Sequence, residues 1–84
     1  MNVLFAPDAW DDYMFWQTND KKISAKINKL IAEIKRTPYE STGKPEALRY
    51  RWSGWWSRRI DLEHRLLYRV EGQTIEIIQC RHHY

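Results

Sequence analysis

From Ile23 onward the apolar positions of this chain recur at i, i+4, i+7, i+8 and i+11, through Ile27, Leu30, Ile31 and Ile34. That is the spacing of one continuous stripe along a helix. Lys22, Lys26, Lys29 and Arg36 form a second, cationic stripe about a quarter-turn round the same cylinder. Asn19–Asp20 supplies the N-cap for this helix. Pro38 ends it, because the residue before a proline resists the helical conformation. Upstream, Asn2–Ala6 reads as a short first strand. Pro7 suits an opening helical turn, and Asp8, Asp11 and Asp12 favour the positive end of a helix dipole. A first helix over residues 7–18 follows.

Downstream of a loop from Thr37 to Pro45 the period changes to two. Leu48, Tyr50 and Trp52 alternate with Arg49 and Arg51, which predicts a strand with one apolar and one basic face. After a turn at Ser53–Gly54, Trp56, Arg58 and Ile60 alternate against Trp55, Ser57, Arg59 and Asp61. Leu66–Val70 and Thr74–Cys80 flank Glu71–Gly72–Gln73, the signal of a tight hairpin. The predicted order is β-α-α-β-β-β-β in one domain, 1–84. It is an α+β fold in which two N-terminal helices pack on one face of an antiparallel sheet.

The chain has 84 residues, and its longest apolar runs, Val3–Ala6 and Tyr13–Trp16, are four residues each. Runs that short exclude a membrane-spanning helix and a secretory core. Cys80 stands alone, so no internal disulfide and no cysteine-based zinc site is expected. A cytoplasmic location is the default expectation. Charge is divided unevenly along the chain: residues 1–20 carry −4, 21–36 carry +5 and 44–69 carry +4. The last block interleaves Arg with Trp and Tyr, which suits a polyanion or an acidic protein partner, or else is simply solvated charge.

No metal and no cofactor are expected. The histidines are His64, His82 and His83; HExxH and CxxC spacings are absent, as is a phosphate-cradling glycine loop. Glu46, Arg59, Arg65, His83 and Tyr84 remain, a kit suited to cleaving RNA without a metal. A carboxylate ionised at neutral pH can only take the 2′-hydroxyl proton, and a histidine is the better donor to the leaving 5′-oxygen. Arginine, always charged and bidentate, suits the phosphate oxygens. Singly, each has a plainer reading: Glu46 as a solvated loop residue, Arg65 as an ion-pair partner of Glu63, His83–Tyr84 as a frayed end. Cys80 reads as a buried strand residue and His64 as structural.

The segments Gly43–Leu48, Trp52–Ile60 (Trp-Ser-Gly-Trp-Trp-Ser-Arg-Arg-Ile), Glu63–Tyr68 and His82–Tyr84 resemble the YoeB/Txe toxins of the RelE-like toxin–antitoxin superfamily. Ala9–Tyr13 and Lys26–Ile31 are similar to that family too, so the resemblance covers essentially the whole chain. It implies a microbial-ribonuclease-like fold and ribosome-dependent cleavage of mRNA in the A site. Residue by residue it implies Glu46 as general base, His83 as general acid, Arg65 with Arg59 as stabiliser of the scissile phosphate, and Tyr84 as an orienting residue. Lys44, Arg49 and Arg51 would add phosphate contacts. Arg49 stands where relatives often carry Lys, and Ala47 where they often carry Pro. The resemblance also implies a cognate, acidic, partly disordered antitoxin, with mRNA and the 70S ribosome as further partners, and it leaves a homodimer open. Two other readings stay open beside it: a basic module that grips RNA without cutting it, and an antitoxin-binding protein that has lost catalysis.

Overall fold

Asp20 closes one helix and opens the next. In the computed structural model, which describes residues 1–40 and 45–82, its N–H donates to Trp16 O at 3.0 Å. Its Oδ1 accepts from the Lys22 and Ile23 amides at 3.1 Å each. This N-cap splits α1 (Pro7–Asn19) from α2 (Lys21–Arg36) and turns the chain between them. Pro7 takes the first helical turn, and α2 ends one residue before Thr37, whose amide reaches Glu33 O at 2.8 Å. No described helix is long and apolar enough to cross a membrane.

The strands are β1 (Asn2–Phe5), β2 (Glu46–Ala47), β3 (Trp56–Arg59), β4 (Arg65–Glu71) and β5 (Thr74–Gln79), in sheet order β1-β5-β4-β3-β2. β2 to β5 are antiparallel as predicted, whereas β1 lies parallel to β5, Val3 opposite Ile75 and Phe5 opposite Ile77. The β4–β5 hairpin turns at Gly72–Gln73 with Gly72 at φ +57, a conformation that suits a residue without Cβ. Between Leu67 and Tyr68 the register shifts, Leu67 facing Gln79 and Tyr68 facing Ile77, so β5 carries one extra residue at this bulge.

Both helices cover one face of the sheet. Ala9 and Trp16 of α1 and Ile27, Leu30 and Ile34 of α2 pack with Leu66, Tyr68, Ile75, Ile77 and Cys80, with Val3 and Phe5 at the margin. The α2 stripe is therefore the core stripe the spacing predicts, with Ile23 and Ile31 half-buried at its flanks. Arg58 lies in the same layer and is fully buried. Its Nε donates to Tyr68 Oη at 3.2 Å, one terminal nitrogen donates to Thr37 O at 2.6 Å, and the other lies 3.9 Å from Glu33 Oε2. Tyr68 Oη in turn donates to Pro38 O. A buried guanidinium thus ties the C-terminal end of α2 to the middle of the sheet, every contact replacing water it has lost.

The predicted order β-α-α-β-β-β-β is found, but one strand lies earlier in the chain than its predicted place. The alternation Leu48–Tyr50–Trp52 continues β2 for no residue beyond Ala47; Tyr50–Trp52 is instead a single 3₁₀ turn. Leu48 N–H donates to Trp55 O at 3.0 Å, so the chain has already begun to reverse, and Tyr50 at φ +58 breaks the extended backbone. The predicted strand over Thr74–Cys80 likewise stops at Gln79, because the Cys80 amide turns to Asp12 Oδ2 at 3.3 Å.

Candidate functional site

Side chains alternate across a strand, so the face turned away from the helices is fixed by register. Glu46 is paired with Ser57, Ser57 with Leu67 and Leu67 with Gln79, which makes one row across four strands on that face. Two residues along β3, Arg59 pairs with Arg65 and makes the neighbouring row on the same face. Glu46, Arg59 and Arg65, far apart in sequence, are thereby gathered on one sheet surface. Glu46 and Arg59 are exposed there and Arg65 is half-buried. Of the remaining sequence-predicted residues, Arg49 and Arg51 lie in the segment that follows β2. Lys44, His83 and Tyr84 lie outside the described residues.

That segment walls a groove of about 590 Å³ lined by Glu46, Ala47, Leu48, Arg49, Tyr50, Arg51 and Trp52. Its base is tied by three hydrogen bonds besides the Leu48–Trp55 one: Trp52 N to Arg49 O at 3.1 Å, Ser53 N to Tyr50 O at 2.9 Å and Trp55 N to Trp52 O at 3.0 Å. Trp52 and Trp55 meet edge to face at 6.4 Å, and the Arg69 guanidinium sits 4.7 Å from the Trp55 ring centre. Arg69 is itself held by Glu76 at 2.9 Å and Glu71 at 3.5 Å. The loop is thus seated on β4 through a cation held in turn by two carboxylates.

Arg65 is aimed by the turn before it. Asp61 Oδ1 accepts the Glu63 and His64 amides at 2.9 and 2.7 Å, and one Arg65 nitrogen donates to Asp61 O at 2.9 Å and His64 O at 3.2 Å. Desolvation at Asp61 opposes ionisation, but the two amides and the nearby His64 and Arg65 charges outweigh it and hold the carboxyl below 3.8. Arg65 Nε and its second terminal nitrogen take no part in those bonds.

The chain leading to residue 83 is pinned at each step. The Trp16 indole donates to Cys80 O at 2.9 Å, and the Arg81 guanidinium stacks 3.6 Å from the Phe15 ring centre. The His82 amide donates to His64 Nδ1 at 2.7 Å, and His82 O accepts from Arg65 N at 2.9 Å. Burial raises the Asp12 carboxyl above 3.8, against the pull of the Cys80 amide and the Arg81 and His82 charges. Sequence reading placed His64 as structural, which agrees, but it missed Asp12, Trp16 and Asp61. The Asp61–His64 spacing of a side-chain-capped turn was the one local signal available.

Glu63, His64 and His82 bring ligand atoms within 4.8 Å of one another, a grouping that sequence spacing did not reveal. A neutral imidazole has one lone-pair nitrogen, and at His64 it is Nδ1, already taken by the His82 amide. Coordination would need that bond broken or the ring doubly deprotonated. Metal-binding histidines ordinarily donate from their second nitrogen instead. Within this cluster the His64 ring holds the His82 amide, and Glu63 Oε1 lies 3.8 Å from His64 Nε2.

The family model described as a YoeB-like toxin of bacterial type II toxin–antitoxin systems matches residues 5–84. Toxin YoeB of Escherichia coli strain K12 is 50% identical over 84 residues, with 100% of both chains covered. A solved structure of a YoeB/ParE toxin from Agrobacterium tumefaciens superposes with a TM-score of 0.98 at 51% identity, covering 100% of both chains. The toxin in a heterotetrameric YoeB–YefM complex from Staphylococcus aureus superposes at 0.94 with 46% identity, over 100% of this chain and 98% of that one. With its sheet, its helix pair and its sequence all matched end to end, the chain belongs to the YoeB-like toxins of bacterial type II toxin–antitoxin systems.

Proposed function

We propose that this toxin is a ribosome-dependent endoribonuclease that cuts mRNA in the A site by attack of the ribose 2′-hydroxyl on the adjacent phosphate. The observation that carries this reading is the common sheet face of Glu46, Arg59 and Arg65, with Glu46 and Arg59 exposed and Arg65 half-buried, and with Glu46 also lining a groove that holds Arg49 and Arg51. Glu46 takes the 2′-hydroxyl proton; Arg65, with Arg59, meets the charge that grows on the phosphorane; His83 returns a proton to the 5′-oxygen, and Tyr84 orients the nucleotide. Lys44 adds a phosphate contact. No step calls for a metal. The ribosome supplies alignment, which is worth roughly 7–11 kcal/mol of barrier in favourable cases, so isolated RNA is a poor substrate.

The toxin acts in the cytoplasm, where ribosomes are, and is held silent by an antitoxin whose acidic, unstructured segment folds on the basic surface. The S. aureus relative bound to YefM supports that pairing.

The test is cleavage of a defined mRNA on programmed 70S ribosomes by purified protein. The expected products carry a 2′,3′-cyclic phosphate and a 5′-hydroxyl, and Glu46→Gln lowers the single-turnover rate about 10²–10⁴-fold with its melting temperature unchanged. Ends bearing a 5′-phosphate, or binding to the ribosome without any cut, would overturn the reading.

A further inference from the structure

On the wall of the groove beside Glu46, one cation is held by its face and left open at its edge. The Arg51 guanidinium lies over the Trp52 ring, 5.6 Å from its centre, and Arg51 is exposed. A guanidinium stacked in this way keeps its in-plane N–H donors for another group. Trp52 in turn meets Trp55 edge to face at 6.4 Å, and Trp55 lies against the Arg69 guanidinium at 4.7 Å. Arg69 Nε donates to Glu76 Oε1 at 2.9 Å. Five side chains therefore run from β5 across β4 to the groove wall, in the order carboxylate, cation, ring, ring, cation. Every junction in that row is attractive.

The backbone beneath these rings is fixed as well, by the bonds from Trp52 N to Arg49 O at 3.1 Å and from Trp55 N to Trp52 O at 3.0 Å. An exposed arginine ordinarily gives up its rotamer freedom when it grips a ligand. One already stacked on a seated ring has surrendered part of that freedom beforehand, so it binds with less to lose. The free edge of a guanidinium pairs with two oxygens of one anionic group, and along a substrate seated at Glu46 that group is a phosphodiester. Resting on the ribonuclease reading above, we infer that Arg69 is a positioning residue: acting through Trp55 and Trp52, it holds Arg51 ready for an mRNA phosphate flanking the cut. It sets how tightly the substrate is held, and leaves the rate of the cut to the groups around Glu46.

The experiment reads KM and kcat on mRNA-programmed 70S ribosomes for Arg51→Met, Arg69→Met, their double variant, Arg69→Lys and Glu76→Leu. Arg51→Met and Arg69→Met each raise KM about 2- to 10-fold, with kcat close to that of wild type. The double variant is no worse than Arg51→Met alone, because the brace then has nothing to hold. Arg69→Lys keeps a cation over Trp55 and recovers part of the loss. Glu76→Leu separates positioning from charge: a gain in net positive charge would by itself lower KM, whereas a loosened Arg69 raises it. In the free protein, Arg69→Met reduces the ring-current shift of the Arg51 side-chain protons. Losses that multiply in the double variant, a Glu76→Leu KM at or below that of wild type, or losses that track a lower melting temperature overturn the brace. A wild-type KM in every variant overturns it too, and leaves Arg51 to an acidic protein partner. If wild type itself leaves ribosome-bound mRNA uncut, the ribonuclease reading fails and the substrate role falls with it, while the ring-current shift still tells whether Arg69 holds Arg51.

Discussion

His64 Nδ1 accepts the backbone amide of His82 at 2.7 Å, and the next residue along, Arg65, donates its own amide to His82 O at 2.9 Å. One peptide segment is thus gripped from both sides by consecutive residues at the start of β4, the strand that also presents the Arg65 side chain. The proposed phosphate-binding arginine and the approach to the proposed general acid share one anchor. His64→Leu leaves the His82 amide without its acceptor and should cost about 1–3 kcal/mol. Faster hydrogen exchange at His82, with a loss of cleavage greater than the fall in stability explains, is the expected pattern. Exchange at His82 as slow as in wild type would mean that the grip comes from elsewhere.

Arg58 is a structural cation, not a substrate-binding one. Arg58→Met should destabilise by about 3–5 kcal/mol, since it removes the buried cation that faces the Glu33 carboxylate and donates to the Tyr68 hydroxyl. For a domain of this size each kcal/mol lowers Tm by roughly 4–8 °C. Adding Glu33→Leu should restore part of the loss, and thermal melts of the single and double variants measure it. Arg59→Met, one residue along but exposed, should leave Tm near that of wild type.

Burial pushes the Cys80 thiol up from 9.0 to about 12, with the Asp12 charge adding to the effect. The sign follows from linkage: a group with a raised folded-state pKa gives its full stabilisation below the unfolded value and loses it as pH rises toward the folded one. Tyr68 is also raised above 10.0, chiefly by burial, and acts in the same direction. Tm should therefore hold up to about pH 9 and fall steadily above it, and Cys80→Ala should flatten the first part of that fall. At pH 8 the native thiol should resist iodoacetamide and react only on unfolding.

Asp61 works in the opposite sense. Its carboxyl is held below 3.8, so its contribution is present above that pH and disappears as pH falls through the folded value. Asp61→Ala should cost about 1–2 kcal/mol at pH 7, through the two amides it no longer caps. The gap between variant and wild type should close below pH 4. Cleavage should fall as well, since Arg65 is braced by the same turn.

The alternation of Trp56, Arg58 and Ile60 against Ser57 and Arg59 was legible in the sequence, and β3 keeps it, with Arg58 buried in the core layer and Arg59 exposed on the other face. The α2 stripe and the Asp20 cap were equally local and equally readable. Tyr50 misled because alternation over five residues cannot reveal a positive φ; that conformation is imposed by the hydrogen bonds of the surrounding loop. The parallel placement of β1 and the pinning of residues 80–82 by Asp12, Trp16 and His64 were invisible for another reason. They join positions more than sixty residues apart, apart from the nearer His64 contact, and no periodicity encodes such a pairing.

That parallel pairing has a consequence for how the molecule comes into being. Asn2–Phe5 finds its partners only in Thr74–Ile77, so the strand made first waits for the strand made last. Closing so long a loop is slow, because its entropy must be spent before any ladder bond repays it. Until it closes, the β1 donors and acceptors have no sheet to join, and the Val3 and Phe5 side chains have no β5 surface to cover. A nascent chain of this protein can therefore complete its sheet only once the β4–β5 hairpin has been made.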